Sequence, residues 1–310
     1  MSRPQMPQNT VLITGCSDGG IGAALAVEFQ LRGLRVFATA RDLSKMTSLA
    51  ALGIETLELD VTSESSIEQA VAIVREKLSL TSSDPKDNGA EDGKSNPDQQ
   101  PRGRLDLLIN NAGVNHVMPF SDTKITDLSR VFNTNVIGSL AVTQAFIPLL
   151  MHQGGATAKT KSTVAMLGSV NEVFMPPYQL AYNTSKVAVH AAARALRVEL
   201  APLGIHCVTL VTGSVRTKLF ENAQSKVPEG SFYATVASRI EGREFLKDAH
   251  WVDADEFARQ VVNELLKPKP NPDIWRGGLA RVASWLAWLG WDSMLESAIL
   301  KANHLDEIQI

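Results

Sequence analysis

Tyr182 and Lys186 stand four residues apart in a stretch with helical spacing, Ala181 to Ala201, so their side chains fall on one face. A phenol ionises near pH 10 and is a poor proton acceptor at neutral pH. An ammonium beside it favours the phenolate and draws that pKa down. A Tyr-x-x-x-Lys pair is common by chance, and alone it reads as structural. Ser169 gives it company. It follows an apolar run, Thr163 to Leu167, that reads as a strand, and strand ends deliver residues to the ligand crevice of an α/β sheet. Its hydroxyl could hold a carbonyl oxygen. Asn135, on the preceding helical stretch, could hold a water that relays protons to Lys186. Ser169 in a turn and Asn135 at a helix break are the plain alternatives. Together the four residues suit proton exchange with a carbonyl or hydroxyl oxygen.

A second group suits phosphate. Thr14-Gly15-Cys16-Ser17-Asp18-Gly19-Gly20-Ile21-Gly22 joins an apolar run, Val11 to Ile13, to a helix-like stretch, Ile21 to Leu31. Glycines there let backbone approach a pyrophosphate, and the helix N-terminus offers free N–H groups. Gly15, Ser17, Gly20, Ile21 and Gly22 are the candidate contacts. The end of the second strand, Thr39-Ala40-Arg41-Asp42, selects the dinucleotide. Arg41 would pair with the 2′-phosphate of NADP, whereas a carboxylate such as Asp42 would accept from the ribose of NAD. The arginine at the strand end favours NADP. Asp60 is a candidate for the adenine edge, and Asn111 for the loop on the cofactor side.

These residues need a sheet to position them. Val11–Ile13, Val36–Thr39, Thr56–Leu59, Leu105–Ile109, Thr163–Leu167 and His206–Val211 read as strands, with helical stretches between them that include Ile125 to Leu150. Such alternation predicts an α/β fold: a Rossmann-type, doubly wound parallel sheet in three α/β/α layers, as one domain over 1–310. Residues 79–104 are polar and rich in Pro and Gly, and they read as a disordered inserted loop. Residues 218–250 should cover the substrate, with Leu219, Phe220, Phe232, Tyr233 and Phe245 among charges. Residues 274–310 form an apolar, helical C-terminal extension.

Composition bounds the class. The chain has 310 residues, 44% hydrophobic and 20% charged, as for an ordinary globular protein. A net charge of −3 gives no basic face for nucleic acid. Cys16 and Cys207 cannot build a disulfide framework and point to a reducing, intracellular, cytoplasmic setting. The scattered histidines suggest no metal site. The N-terminal residues lack the apolar stretch of a secretory signal.

With both groups in place, the chain resembles the short-chain dehydrogenase/reductase family, in its branch without a separate substrate domain. The resemblance rests on the Thr14-Gly15…Gly20-Ile21-Gly22 loop, Asp60-Val61, Asn110-Asn111-Ala112-Gly113, Asn135-Val136-Ile137-Gly138 and Tyr182-Asn183-Thr184-Ser185-Lys186, with Ser169 at the family's interval before the tyrosine. It implies a seven-stranded parallel sheet, an Asn135-Ser169-Tyr182-Lys186 tetrad, cofactor contacts from Val61, Val215 and Thr217, and a dimer or tetramer. Two departures stand out. The glycine loop has one extra residue, and Thr212-Gly213 replaces the usual Pro-Gly after the sixth strand. Thr212-Gly213, Glu241-Gly242-Arg243-Glu244, Trp275-Arg276-Gly277 and the apolar tail are similar to fungal NADPH-dependent 1-acyldihydroxyacetone-phosphate reductases. The polar insertion has no counterpart in that pattern.

The expected activity is therefore reduction of a ketone on a small hydrophobic substrate, with NADPH as hydride donor and Tyr182 as acid. Oxidation of a secondary alcohol, and a ketoreductase of secondary metabolism, remain open. So does a regulatory protein that binds NADP without chemistry. In the tail, Leu279, Val282, Leu286 and Leu289 recur at helical spacing, with Trp285, Trp288 and Trp291 beside them. That face could pack on the domain, meet a second subunit, or lie on a lipid surface such as endoplasmic reticulum or lipid droplets.

Overall fold

Alternation along each strand sends side chains to opposite sides of one sheet. Val11 and Ile13, Val36 and Ala38, Leu107 and Ile109, and Val208 and Leu210 enter one buried cluster; Leu12, Phe37, Leu108 and Cys207 enter the other. Strands buried on both faces belong to parallel sheets covered by helices, and that is the observed architecture.

The structure is a computed structural model that describes residues 9–80, 104–151, 161–219, 226–247 and 249–289. In chain order the elements are β1 (Thr10–Ile13), α1 (Ile21–Leu31), β2 (Arg35–Ala40), α2 (Thr47–Ala51), β3 (Glu55–Glu58), α3 (Glu64–Leu80), β4 (Leu107–Asn110), α4 (Ile125–Phe132), α5 (Ser139–Leu150), β5 (Ser162–Ser169), α6 (Asn171–Phe174), α7 (Leu180–Glu199), β6 (Ile205–Thr212), α8 (Ala237–Glu241), α9 (Ala254–Leu265), β7 (Asp273–Arg276) and α10 (Ala280–Leu289). The seven strands are all parallel, in the order β3-β2-β1-β4-β5-β6-β7. Helices α1 and α9 cover one face; α3, α5 and α7 cover the other. The fold is the Rossmann-type α/β/α sandwich expected.

Several boundaries differ from the sequence reading. The stretch expected as one helix over Ile125–Leu150 is two helices joined by a π-helical turn, Asn133–Gly138. Apolar periodicity continues across such a turn, because one added residue shifts the phase only locally. Ser169 is the last residue of β5 rather than the residue after it. The seventh strand, β7, lies at the start of the stretch expected as a C-terminal extension, and its pairing with β6 makes it part of the sheet. The insertion over 79–104 falls almost wholly outside the described residues.

Helix α10 seats on the domain with its small side. Ala280 and Ala283 are buried against Val170, Val211, Phe174 and Trp275. Val282, Trp285, Trp288 and Leu289 are exposed while Leu279 and Leu286 are half-buried, so only part of the apolar face read from spacing turns toward the domain. Trp285 and Trp288 meet edge to face, 6.2 Å between centroids. Among the described residues no helix is long and apolar enough to cross a membrane.

Candidate active site

The strand order reverses between β1 and β4, and ligands of open α/β sheets bind beyond the strand C-termini at that switch. The loops after β1, β4, β5 and β6 meet there. They carry the glycine loop, Asn111, Val215 and Thr217; Ser169 ends β5, Tyr182 and Lys186 lie on α7, Asn135 lies in the π-turn, and Arg41 and Asp60-Val61 follow β2 and β3.

The glycine loop is folded tightly against β4. A Cβ on Gly22 would lie 2.6 Å from both Asn111 Nδ2 and Gly15 O, and one on Gly15, at φ +72°, would lie 2.8 Å from Ala112 Cα. These two glycines are required by backbone contact within the protein. No side chain caps α1 at Gly20, so the N–H groups of its first turn are open to an anion. The extra loop residue is accommodated by anchoring: Asp18 N–H donates to Lys45 O at 2.7 Å, and the Asp18 carboxylate accepts from Ser48. Cys16 is fully buried, and desolvation pushes its thiol up to about 12, which leaves it inert. Asn111 spends both amide hydrogens inside the protein, on Thr14 O (2.7 Å) and Gly15 O (2.9 Å). It braces the phosphate loop.

At the end of β2 the two rival residues separate. Arg41 is exposed, and no described residue pairs with it. The Asp42 carboxylate is taken by Ser44, accepting from its N–H (2.9 Å) and hydroxyl (2.6 Å), and those bonds hold its pKa below the usual range. Asp60 is similarly engaged: its Oδ1 accepts from Thr62 N–H (2.9 Å) and Oγ1 (2.7 Å). Val61 is buried against Gly138 of the π-turn.

Ser169, Tyr182 and Lys186 come together above β5. The Asn171 N–H donates to Ser169 Oγ (3.2 Å), which fixes that hydroxyl, and Ser169 in turn lies within hydrogen-bonding reach of Tyr182. Burial pushes the Tyr182 phenol up to about 12, with the Ser169 contact pulling the other way. The lowering expected from Lys186 does not prevail in the chain without cofactor. Lys186 Nζ donates to Leu167 O (2.7 Å) and sits 5.5 Å from the centre of the Tyr182 ring. Desolvation pulls it down to about 8, opposed by the charge of Glu172. At neutral pH the pair is a phenol and a mostly charged amine.

Asn135 lies in the π-turn, buried, and its side chain is fully engaged as a donor. Nδ2 donates to Val114 O (3.0 Å) and Ser185 Oγ (3.0 Å), while Oδ1 accepts from Val114 N–H (2.8 Å). Asn135 thus ties the loop after β4 to α7, and a relay through it would run on its remaining acceptor lone pairs. The irregular turn is what aims it inward.

The walls of the cleft include residues the sequence did not single out. Met175 and Tyr178 adopt left-handed backbone, φ 45° and 66°, in the loop leading to Tyr182. Non-glycine residues held there store strain, which clusters at ligand sites. Asn115 Nδ2 donates to Gln179 Oε1 (3.0 Å), both buried, and Asn183 bridges Asn171 Nδ2 and Pro176 O. Within the expected covering segment, Val227, Val236 and Ile240 form a small cluster with Val117, and Tyr178 and Tyr233 pack there edge to face at 6.0 Å. Phe232 is exposed; Phe220 and the Phe245 side chain lie outside the described residues. After β6, Val215 is buried and pairs with Val252, and Thr217 Oγ1 accepts from Leu219 N–H (3.4 Å). Gly213, the residue that the Thr212-Gly213 departure keeps, is required sterically. A Cβ on Gly213 would lie 2.0 Å from Gly278 O, and one on Gly278 would lie 1.5 Å from His250 O. Lys218 reaches back over the phosphate loop, its Cε 3.3 Å from where a Gly19 Cβ would be. Nothing in local sequence pattern marks that contact.

Comparison with known proteins agrees with this geometry. The family model described as short chain dehydrogenase matches residues 9–81 and 97–228. The chain belongs to the short-chain dehydrogenase/reductase family. A short-chain dehydrogenase/reductase of Pestalotiopsis microspora is 34% identical, over 97% of this chain and 96% of that one. An NADPH-dependent 1-acyldihydroxyacetone phosphate reductase of Schizosaccharomyces pombe is also 34% identical, over 89% of each chain. Among solved structures, a short-chain dehydrogenase from Streptomyces avermitilis superposes with a TM-score of 0.70 at 23% identity, covering 98% of both chains. As a short-chain dehydrogenase/reductase the protein is an oxidoreductase, and its family binds nicotinamide cofactors.

Proposed function

We propose that this oxidoreductase uses NADPH to reduce a ketone on a hydrophobic substrate to a secondary alcohol. The observation that carries the reading is the Ser169–Tyr182–Lys186 cluster, with Tyr182 a phenol that burial keeps protonated and so holding the proton to be given. Ser169 and Tyr182 hold the carbonyl oxygen, and Tyr182 gives that oxygen its proton as charge develops there. Lys186 holds the nicotinamide ribose and offsets the charge left on Tyr182. Asn135 keeps the loop at Val114 and helix α7 in register, and its free lone pairs accept the relay water. Bound cofactor supplies the hydride. The diphosphate rests on the loop at Gly15, Ser17, Gly20, Ile21 and Gly22, with Lys218 above it; Asp60 and Val61 flank the adenine, Asn111 braces the cradle, and Val215 and Thr217 face the nicotinamide amide.

NADPH is favoured over NADH by one contrast. Arg41 is exposed and uncommitted at the strand end, while Asp42, the residue a 2′-hydroxyl would need, is engaged by Ser44. The cofactor named for the Schizosaccharomyces pombe relative supports the same choice. An apolar substrate is supported by the wall of Val117, Tyr178, Val227 and Tyr233, and an acyl chain by that relative's name. The exposed Trp285–Trp288 face of α10 is a contact for a lipid surface or a second subunit. The deciding assay is consumption of NADPH and NADH over a panel of long- and short-chain ketones. Turnover with NADPH and chiral alcohol product is expected. Tight NADPH binding with no turnover on any ketone would favour a regulatory role instead.

A further inference from the structure

Behind Lys186 lies a chain of charges, buried at one end, that the reaction as derived does not use. Glu172, on α6, has a side chain only 8% exposed. Its Oε1 meets His190 Nδ1 at 2.6 Å, His190 Nε2 is 3.3 Å from Asp273 Oδ1, and Arg197 lies 2.9 Å from the same aspartate oxygen. One end of the chain is thus pinned to β7, at the edge of the sheet. The other end is unspent: Glu172 Oε2 has no hydrogen-bond partner, and neither does the buried Thr209 Oγ1 on β6. Both side chains converge on Gly168, where a Cβ would lie 3.5 Å from Glu172 Oε2 and 3.0 Å from Thr209 Cγ2. The neighbouring residue, Leu167, is the one whose carbonyl receives Lys186 Nζ.

We propose that Glu172 is a positioning residue for Lys186: its buried Oε2, held by His190 and Asp273, is the fixed negative charge that keeps Lys186 an ammonium in a desolvated site. A lone buried carboxylate is costly unless a cation answers it. Here His190 answers Oε1, and Lys186 is the neighbouring cation, one turn before His190 on α7 and bonded to the carbonyl of Leu167, the residue before the Gly168 that Oε2 faces. The other elements packed on Glu172 add little. Strand β5 has no ionisable side chain, β6 has His206 and Cys207 near its start, the latter a thiol that burial keeps protonated, and α10 contributes only the exposed Arg281. From α7 come Tyr182, Lys186, His190 and Arg197, and from β7 come Asp273 and Arg276, the latter turned to Glu264 at 2.6 Å. The burial that lowers Lys186 to about 8 is opposed by Glu172, in keeping with this role.

The inference deepens the function proposed above and rests on Lys186 serving Tyr182 and the cofactor ribose. Its test therefore starts without cofactor. The Lys186 Cε resonance, followed by NMR in protein labelled with 13C-lysine, reports its ionisation directly. Glu172→Gln is expected to lower the midpoint by about one pH unit, a tenfold change in the equilibrium. Glu172→Asp, which keeps the charge, should restore most of it. His190→Gln removes a neighbouring positive charge while its amide N–H can still donate to Glu172 Oε1, and so should leave the midpoint unchanged or raise it. That opposite sign serves if Glu172→Gln fails to fold, since a purely structural role would move both variants the same way. In turnover, the basic limb of the pH–rate profile should move down with Glu172→Gln. A midpoint unchanged within about 0.2 pH units, a fall of the midpoint in His190→Gln, or a shifted midpoint with an unshifted limb would each overturn the proposal. A wild-type chain that reduces no ketone but shows the NMR shift would overturn the ketoreductase reading and leave this one standing.

Discussion

At the scale of single residues, the proposed reduction turns on the Tyr182 hydroxyl. Tyr182→Phe should fold and bind NADPH as before, yet lose ~10²–10⁴-fold in turnover, because a positioned acid is worth about that much. Near-full activity of the variant would remove Tyr182 from the chemistry. Arg41→Ala should weaken NADPH far more than NADH in a fluorescence titration, since only NADPH carries the 2′-phosphate. Equal weakening would make Arg41 structural. Ser169, Tyr182 and Lys186 were legible in the sequence because their chemistry is unusual and their spacing fixed. The commitments of Asn111 and Asn135 were not. An asparagine can bind ligand or brace backbone with the same atoms, and only its partners, here Thr14, Gly15, Val114 and Ser185, distinguish the two.

At the scale of elements, the π-turn at Asn133–Gly138 bears most of the precision. Removing the Asn135 amide leaves the Val114 N–H and C=O and the Ser185 hydroxyl without that partner. Asn135→Ala should therefore cost about 2–4 kcal/mol, from three lost hydrogen bonds in a largely buried setting, read by urea unfolding. A cost within experimental error would mean that water replaces the amide freely. Sequence periodicity identified six strands because their apolar runs are bounded by turns. It missed β7 as an individual strand, since Asp-Ile-Trp-Arg offers one fully buried residue, Ile274, and gains its identity only by pairing with β6. In α10 the spacing rule picked out Leu279 and Leu286, which are half-buried, but passed over Ala280 and Ala283, the alanines that are fully buried against the domain.

For the whole molecule, the Glu172–His190–Asp273 chain ties stability to pH. His190 is raised from 6.5 to about 9, chiefly by its bonds to Asp273 and Glu172. Its contribution is fully present below pH 6.5 and is lost as pH rises through about 9. Asp273 runs the other way, lowered from 3.8 to about 2 by His190 and Arg197, so its contribution is present above 3.8 and lost as pH falls through about 2. The free energy of unfolding should therefore decline between pH 6.5 and 9, on the order of 1–2 kcal/mol, and His190→Gln should flatten that decline. An equally steep decline in the variant would place its origin elsewhere. The double substitution Trp285→Ser, Trp288→Ser tests the other end of the fold. Both rings are largely exposed, so stability should change by less than about 0.5 kcal/mol while binding to liposomes or self-association falls. If sedimentation and liposome flotation both stay as in the wild type, the surface contact proposed for α10 is wrong.

Gly213 and Gly278 carry a consequence for how this chain can vary. The loops after β6, before α9 and after β7 cross there with no room for a methyl group on either α-carbon. In a saturating mutational library both positions should tolerate nothing but glycine, as strictly as Tyr182 or Lys186. The constraint would be invisible to any assay that equates intolerance with chemistry, since neither glycine offers a reactive group. Abundance and activity would fall together at these two positions, whereas at Tyr182 activity alone would fall. A paired readout of both quantities sorts the scaffold from the site, residue by residue.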